Sequence, residues 1–539
     1  MEKRVLELLT SHGTLVPPDT IDFILKKKNP EKYVTEIMKH FHEIPLFLTV
    51  DLLKAAEVKA GFADQNVNEK SLERVEGQIQ MEHLGSDTVI LMESHESTVT
   101  KKDPLVTTGI TSVSKSVEVK GLASSKKRPL AKEYDGEIKI LKDVTGQSTT
   151  EGTLKDFTKY FQERFRALRK ILQNQRREVM GSAEISRLRN HPGPVKFIGM
   201  INDVRPTKQG HIILELEDES DSISALINNN SPLINMNFIC DEVVCVLGKF
   251  GKNDLIYVED IIRPDTPIAK NQNKADIPLN CLFMADIHNG SKTFLHKAWG
   301  KFINWLNGKY VINGSEQFLD NLKYIVISGD IADGIGIYPN QEAELEITDI
   351  YAQYEDLAIK FQEIPDHIEL VIQPGNHDAV RPAEPQPAFP KEITDLFSNK
   401  IKFIGNPCYF SIDNVEILSY HGRSMDDFVM QIPNISYNLP LKIMKEMLIR
   451  RHLAPVYGQR TPIAPEHYDY LLIEKIPDIF VTGHIHKTAV ETYRDISLIN
   501  ASAWQAQTSY QKMMNFNPEP GKVILAELQS RRLQILNFA

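Results

Sequence analysis

The 539-residue sequence lacks any apolar run near the roughly 20 residues that a membrane-spanning helix requires. Its four cysteines, Cys240, Cys245, Cys281 and Cys408, form no CxxC pair. This spacing argues against a disulfide framework or a structural zinc knot and predicts buried, reduced thiols. The formal net charge of −10 argues against coating nucleic acid through bulk charge. These absences predict a soluble, cytoplasmic protein with no membrane contact, whose contacts with nucleic acid are local.

The composition, 42% hydrophobic and 25% charged, is that of a globular protein. The length exceeds that of one ordinary domain, so we expect two or three domains. The start, MEKRVLELLTSHG, has an amphipathic helical pattern without the apolar core of a signal peptide. No internal repeat occurs at the periods of solenoids or propellers.

The first 150 residues divide into two parts of different composition. Residues 1–75 carry short helical patterns interrupted by prolines, which predict a small helical domain. Residues 76–150 are rich in Ser, Thr, Lys, Glu and Val, and this composition predicts a flexible linker. The linker includes SSKKRP at 124–129, which we interpret as a solvated basic cluster rather than a nuclear-import signal.

The next two segments are predicted to be a helix and a barrel. Residues 151–190 form a basic helical segment in which aromatic and leucine residues recur at helical spacing among many arginines. Its basic side could follow a phosphate backbone or simply be solvated. Residues 191–270 contain five strand-like runs separated by turns, which predict an OB-type β-barrel. Such a barrel could bind a single strand or pack against its neighbour, and both alternatives remain open.

Residues 271–539 show an α/β pattern in which five apolar strands each end in a polar loop. The loops are LFMADIHNG, YIVISGDIADG, LVIQPGNHD, ILSYHGRS and IFVTGHIHK. Sites in α/β folds collect where the carboxyl ends of strands meet. We therefore expect one metal-binding cluster from these loops: Asp286, His288, Asp330, Asn376, His377, His421, His484 and His486.

Three glycines precede candidate ligands and predict a close approach of the backbone to the site: Gly329, Gly375 and Gly483. The mixture of carboxylate, amide and imidazole donors favours Mn, Fe or Zn over Ca or Mg. Asp378 could orient His377 as an outer carboxylate. Four other polar residues are interpreted as structural: Asp333, His296, His452 and His467.

The series D-x-H, G-D, G-N-H-D, H-G and G-H-x-H resembles the calcineurin-like metallophosphoesterases, which implies a two-layered β-sandwich phosphoesterase domain at 271–539. Three further segments narrow the resemblance: RRHLAPVYGQRTPIAPE (450–466), DYLLIEKIPDIFVTGHIH and NASAWQAQTSYQ (500–511). They are similar to the small exonuclease subunits of archaeal family-D DNA polymerases. The resemblance covers roughly residues 190–539, and the helical start and the linker also fit that family.

The resemblance implies a metal-dependent 3′-5′ exonuclease that proofreads within a replicative polymerase. Its implied partners are the large catalytic subunit, the DNA primer 3′ end and a sliding clamp. Its implied cofactors are two divalent metal ions, Mn first, with Fe or Zn as alternatives. One ion would be held by Asp286, His288 and His486, the other by Asn376, His421 and His484, with Asp330 bridging both and acting in catalysis. His377 would be the catalytic histidine that is not a ligand.

Two alternatives remain. The chain could be a scaffold, as in accessory polymerase subunits of similar architecture that have lost their ligands, although seven polar ligands in one cleft are costly without a catalytic use. It could also be a stand-alone phosphoprotein phosphatase or cyclic-nucleotide esterase, because the metal loops alone do not define the substrate. Comparing a phosphodiester, a phosphomonoester and a mismatched primer-template as substrates would separate these possibilities.

Overall fold

The computed structural model describes residues 5, 18–27, 29–40, 53–54, 116–117, 130–188, 193–251, 254–268, 271–312, 314–513 and 516–539. The chain divides into two compact units, residues 1–106 and residues 107–539. Most of the predicted linker, including SSKKRP at 124–129, lies outside the described residues. The proposed domain boundaries therefore stay predictions.

Two helices of the first unit, Pro18–Leu25 and Pro30–Ile37, lie within the predicted helical region. The second begins where Asn29 accepts a hydrogen bond from the backbone of Lys32, and proline occupies its first turn. Both features favour a helix start, because a capped N–H and a preset φ lower the cost of the first turn. Apolar residues of both helices share one small core: Ile24, Val34 and Ile37.

The second unit is a mixed α/β structure. Its strands are β1 Ser116–Val117, β2 Ile138–Lys142, β3 Pro194–Pro206, β4 Ile212–Glu217, β5 Ser222–Ile227, β6 Val243–Phe250, β7 Leu255–Ile262, β8 Asn280–Met284, β9 Val311–Ile312, β10 Leu322–Ser328, β11 Glu369–Gln373, β12 Ile401–Phe403, β13 Cys408–Ile412, β14 Val415–Ser419, β15 Ile479–Thr482, β16 Ala489–Tyr493, β17 Ile496–Asn500, β18 Lys522–Glu527 and β19 Leu533–Asn537. Its α-helices are Leu130–Glu133, Leu154–Gln175, Ile185–Leu188, His296–Leu306, Glu316–Leu319, Ile350–Phe361, Lys391–Thr394, Met425–Gln431, Pro440–Arg450 and Ser509–Met513.

The predicted five-stranded barrel is confirmed: the strands close in the order β3-β4-β5-β7-β6. Alternate residues of β4 and β5 point inward, so a period-two pattern fills the interior with Leu, Ile and Ala side chains. Strand β3 spans 13 residues and pairs with both β4 and β6, which closes the barrel.

Besides a two-stranded sheet of β1 and β9, the unit contains two six-stranded sheets, in the orders β12-β11-β10-β8-β18-β19 and β16-β17-β15-β14-β13-β2. One core cluster contains residues of both sheets, among them Phe283, Val326, Phe410 and Val481, so the sheets pack against each other. The outer faces are covered by helices: His296–Leu306 and Ile350–Phe361 on the first sheet, and Met425–Gln431 and Pro440–Arg450 on the second. Burial on both faces explains why the central strands are almost continuously apolar.

The predicted basic helix is observed at Leu154–Gln175, beginning with a capping box between Thr153 and Asp156. Its apolar side packs against the barrel and against Leu472. One arginine departs from the expected exposed basic side: Arg164 is buried and its Nε donates to Asp469 at 2.9 Å. Sequence periodicity could not reveal this, because the buried partner lies 305 residues away.

The end of the segment predicted as a linker contains a strand. Residues 138–142 form strand β2, which pairs antiparallel with β13 at the edge of the second sheet. Three central residues of this strand are exposed, so its composition resembles that of a linker. The strand depends on pairing with a distant segment rather than on its own propensity.

The sequence predicted reduced, buried cysteines and no membrane-spanning helix. All four cysteines are free, three of them are buried, and Cys240 is half-buried. Burial raises the pKa of the Cys245 thiol to about 12 and favours the protonated, unreactive form. Among the described residues, no helix is long and apolar enough to cross a membrane.

Candidate metal centre

The candidate ligands lie together because the strands that carry them run side by side and in parallel. β8, β10 and β11 are parallel neighbours in the first sheet, and β14 and β15 are parallel neighbours in the second. Their carboxyl ends therefore point to the same end of the two packed sheets. The five predicted loops converge there and bring together every residue that the sequence analysis proposed for the site.

Asp286, His288 and His486 form the first group of possible metal ligands, with donor atoms within 4.8 Å of one another. His288 Nε2 lies 3.0 Å from His486 Nε2. Asp286 Oδ1 lies 3.9 Å from His288 Nε2 and 3.5 Å from His486 Nε2. A cation about 2 Å from each donor could bind all three, so the group fits a divalent ion.

Asp330, His421 and His484 form the second group, and Asn376 lies beside it. His421 Nε2 is 3.1 Å from Asp330 Oδ2 and 3.0 Å from Asn376 Oδ1. The same carboxylate oxygen is 3.9 Å from His288 Nε2 in the first group. Asp330 is thus within reach of both groups, the position that a bridging ligand requires.

The ring orientations of three histidines are fixed by partners at Nδ1. His288 Nδ1 lies 2.9 Å from Asp333 Oδ1, His421 Nδ1 lies 2.9 Å from Ser328 O, and His377 Nδ1 lies 2.7 Å from Asp333 O. Carbonyl and carboxylate oxygens only accept, so Nδ1 carries the proton and Nε2 faces the site. Metal-binding histidines commonly have this arrangement.

His377 also lies close enough to His288 and Asp330 to form a third possible group of ligands. Its Nε2 is 4.0 Å from Asp330 Oδ2, whereas His421 Nε2 is 3.1 Å from the same atom. The greater distance favours a position beside the ligands rather than among them. The separate catalytic role of His377 stays a prediction.

The buried charges of the site influence one another strongly. Burial raises the pKa of Asp330, but the imidazoles of His421 and His377 outweigh it and hold the pKa well below the usual value. Burial lowers the pKa of His421, yet Asp330 raises it overall to about 10. A proton and a metal ion compete for the same imidazole nitrogen, so the negative charge that attracts one also attracts the other. Burial and neighbouring histidines lower the pKa of His288 despite Asp333.

Five of the candidate ligands have an unusual backbone conformation. Asp286, His288, Asp330, His484 and His486 all have positive φ, between 49° and 70°. Non-glycine residues seldom adopt this region, and such strain persists where the surrounding structure enforces it. The convergence of five strained ligands supports a site whose geometry is set by function rather than by local preference.

The predicted close approach of the backbone is seen at Gly375 and Gly329. A Cβ atom added at Gly375 would lie 2.2 Å from Asp330 Oδ1, and one added at Gly329 would lie 2.4 Å from His421 Nδ1. Neither contact is sterically possible, so a larger residue at either position must displace a ligand side chain.

Replacing Gly375 with alanine should therefore lower the phosphodiester hydrolysis expected at this site by about 100-fold, because a misplacement of about 1 Å at a reacting centre has effects of that size. Initial rates with saturating Mn²⁺ would measure this change. Gly300→Ala is the matched control: an added Cβ there meets nothing within 4 Å, and the helix interior favours alanine over glycine. A Gly375→Ala variant as active as Gly300→Ala would contradict the proposed packing.

The side chains of Asp333 and Gln505 support the candidate site. Asp333, which we interpreted as structural, contacts the ligand His288 through Oδ1, and Gln505 donates to the same oxygen at 2.8 Å. Gln341 donates to the backbone oxygen of Asp333. The signal for Asp333 was its place in the GDIADG loop, three residues after Asp330. Gln505 is 172 residues from Asp333, and no local pattern reveals that contact.

The suggested role of Asp378 is corrected. Its carboxylate accepts hydrogen bonds from the backbone of Ile331, Ala332 and Gly375 and from the Tyr354 hydroxyl. The ring of His377 instead contacts the Asp333 backbone. Asp378 therefore joins the loops that follow β10 and β11 and positions their ligands, rather than orienting His377.

Three other histidines lie outside the ligand groups. His452 is buried and contacts Asp469, His296 is exposed and pairs with Glu346, and His467 is exposed. Their interpretation as structural residues stays consistent with these positions.

A cavity of about 440 Å³ opens beside the ligands. Its wall includes His288, Asp330, Asn376, His377, His484 and His486. This volume lies within the range of small-ligand sites. The candidate centre is thus accessible to a molecule the size of a nucleotide.

Comparison with known proteins identifies the family. The family model for the B-subunits of DNA polymerases alpha and epsilon matches residues 316–490. The DNA polymerase II small subunit of Archaeoglobus fulgidus is 44% identical over 72% of this chain and 78% of that protein. The corresponding protein of Methanocaldococcus jannaschii is 42% identical over 75% and 69%, and that of Thermoplasma acidophilum is 39% identical over 72% and 78%. The chain belongs to the family of DNA polymerase II small subunits.

Proposed function

We propose that this chain is the proofreading 3′-5′ exodeoxyribonuclease subunit of an archaeal replicative DNA polymerase and that it supports a large catalytic subunit. The convergence of all eight predicted residues at one accessible cavity carries the proposal. The names of the relatives support the association with a polymerase. The parallel strand ends and the two packed sheets support a calcineurin-like phosphoesterase fold.

The residues divide into two ligand sets around Asp330. Asp286, His288 and His486 would hold one divalent ion, and Asn376, His421 and His484 the other. Two such ions, Mn²⁺ or alternatively Fe or Zn, would neutralise the phosphodiester and lower the pKa of water, so that hydroxide forms near neutral pH. The buried, ionised carboxylate of Asp330 supplies negative charge to both sets.

His377 would donate a proton to the leaving group. Its Nδ1–H donates to the backbone oxygen of Asp333, so the ring presents Nε2 to the cavity. The backbone N–H of His377 donates to Asp330 Oδ1 at 2.8 Å and fixes the ring relative to the ligands. A proton on Nε2 could be donated to the 3′-oxygen that leaves when the terminal nucleotide is released.

His377→Ala should lower turnover by about 100-fold while the metal content stays at the wild-type level, because general acid catalysis is lost and the ligands remain. Metal analysis of the purified full chain, together with single-turnover rates, would test both statements. His467→Ala, at an exposed histidine outside the cavity, is the control and should hydrolyse DNA at the wild-type rate. Loss of metal from His377→Ala would show that His377 is a ligand.

The function itself is tested with a labelled primer-template carrying a 3′ mismatch. The full chain, purified with and without its large subunit, is incubated with the DNA and Mn²⁺, and products are resolved over time. We expect stepwise shortening from the 3′ end. Shortening from the 5′ end alone would refute the proofreading assignment. Faster hydrolysis of a phosphomonoester than of either DNA or a simple phosphodiester would favour a phosphatase.

We also propose that the polymerase assembly binds a sliding clamp and works in the cytoplasm. A replicative polymerase acts at the primer 3′ end, so a clamp that encircles DNA is an expected partner of the assembly. Pull-down of the clamp by the two-subunit complex would test this expectation.

A further inference from the structure

The cavity extends beyond the candidate ligands, and its outer wall has a different chemistry. That wall carries Tyr338, Tyr437 and Tyr510 together with Arg423 and Arg460. Aromatic rings and arginines are the side chains that bind single-stranded nucleic acid, through base stacking and phosphate contacts. The metal groups alone do not account for this wall.

Tyr338 and Tyr510 lead outward from the catalytic end of the cavity. The ring of Tyr338 lies 6.5 Å from that of His377, and the ring of Tyr510 stacks on Tyr338 with centroids 5.4 Å apart and planes at 24°. Tyr338 is half-buried, whereas Tyr510 is 40% exposed. Tyr338 therefore supports Tyr510 from within, and Tyr510 offers ring surface to a further aromatic group.

The two arginines add positive charge near this pair. Arg423 Nη1 donates to the backbone oxygen of Pro382 at 3.0 Å, a neutral acceptor that fixes the guanidinium without cancelling its charge. Arg460 is exposed at the wall of the cavity. By contrast, Arg205 and Lys249 of the barrel are each paired with a carboxylate. Asp426 also lines the cavity, so two arginines and one carboxylate leave a net positive charge on the outer wall for phosphate groups.

We propose that this wall is a nucleotide subsite in which Tyr510, supported by Tyr338, stacks on the base of the 3′-terminal nucleotide, while Arg423 and Arg460 bind backbone phosphates. The inference rests on the proposed function and adds how the substrate is selected. A cavity of about 440 Å³ has room for a nucleotide. Because stacking on Tyr510 needs an unpaired base, the subsite would favour a 3′ end that has been released from its template.

Binding is measured by fluorescence anisotropy with the full chain in EDTA, so that hydrolysis does not interfere. The probes are a labelled single-stranded oligonucleotide with a 3′-terminal thymidine and the same strand with an abasic 3′ end. The wild type should bind the thymidine end about tenfold more tightly, since a stacked base contributes a factor of this order.

Tyr510→Ala should bind both probes equally, and Tyr510→Phe should keep the wild-type preference because it retains the ring. The matched control is Tyr351→Ala, at a tyrosine that is 52% exposed on the helix Ile350–Phe361 and outside the cavity. It should bind like the wild type. An undiminished thymidine preference in Tyr510→Ala, or an equal loss in Tyr351→Ala, would overturn the stacking role.

The arginines are tested through the salt dependence of binding. Each phosphate contact contributes about 0.7 to the slope of log Kd against log salt concentration for a single strand. Arg423→Gln and Arg460→Gln should each lower that slope by about 0.7. Each should also weaken the binding of the two probes to the same extent. Unchanged slopes in both variants would overturn the phosphate contacts.

The outcomes separate the subsite from the proposed function. Wild-type hydrolysis of methyl p-nitrophenyl phosphate, a diester without a nucleobase, reports on the metal centre independently of any preference for a thymidine end. Normal hydrolysis of this diester, without any preference for a thymidine end, would refute the subsite alone. A thymidine preference without hydrolysis of any diester would refute the proposed nuclease and leave the subsite standing.

Discussion

Replacing Asp330 with asparagine should lower phosphodiester hydrolysis by about 1,000-fold or more and release bound metal from both ligand sets. Asp330 Oδ2 lies within 4 Å of His288 Nε2 and His421 Nε2, so this carboxylate is within reach of both groups. The substitution removes a negative charge from a buried position. Each metal ion stabilises the transition state by several kcal/mol, and about 1.4 kcal/mol corresponds to tenfold in rate.

The fold should survive this substitution. The hydrogen bond from the backbone of His377 to Oδ1 is available to the asparagine oxygen as well. Single-turnover rates, metal analysis and the thermal midpoint of the full chain would be compared with those of Asp366→Asn, the same change at a fully exposed carboxylate. Wild-type turnover in folded Asp330→Asn would refute the assignment of this residue.

Replacing Asp469 with alanine should destabilise the second unit by about 3–5 kcal/mol, the usual cost of breaking a buried ion pair. The carboxylate accepts hydrogen bonds from Arg164 Nε, His452 Nε2, the Tyr160 hydroxyl and the backbone of Leu471. Its removal would leave the Arg164 guanidinium buried without its carboxylate. The network joins the helix Leu154–Gln175 to the segment that contains His452 and Asp469.

Chemical denaturation followed by tryptophan fluorescence would measure the change, because the three tryptophans belong to the core of the first sheet and its helices. Asp366→Ala, at an exposed carboxylate, should shift stability by less than about 0.5 kcal/mol. Equal midpoints for the two variants would contradict the role of the buried network.

The same network predicts a pH dependence. Burial raises the pKa of Asp469, but His452 and Arg164 outweigh it and hold the pKa well below the usual value. A carboxyl group with a depressed folded-state pKa stabilises the fold above its unfolded pKa, about 4, and this contribution is lost as the pH falls further. The stability difference between the wild type and Asp469→Ala should therefore shrink below about pH 4.

Two of the three segments that narrowed the family resemblance have identifiable structural roles. In the segment 450–466, Pro455 accepts a hydrogen bond from Arg164, and Tyr457 packs against Phe157 and Phe161 of the helix. In NASAWQAQTSYQ, Trp504 is buried and its backbone N–H donates to Asp286 O, while Gln505 contacts Asp333. The segment 450–466 thus packs against the helix Leu154–Gln175, and NASAWQAQTSYQ supports the loops that carry the candidate ligands.

The clustering of the candidate ligands could be predicted because they follow strands within short motifs. His288 two residues after Asp286, or His486 two residues after His484, is visible in a single loop. The barrel was equally visible, since alternation and turns define each strand locally. Contacts between distant segments were not predictable: Gln505 to Asp333, Tyr510 to Tyr338, and strand β2 to β13 arise only when the chain is folded.

The most direct test of the central claim is a crystal structure of the full chain soaked in Mn²⁺, with data collected at the manganese absorption edge. Two anomalous peaks are expected, one among Asp286, His288, Asp330 and His486 and the other among Asp330, Asn376, His421 and His484. A single peak, or peaks that do not contact Asp330, would contradict the two-metal centre.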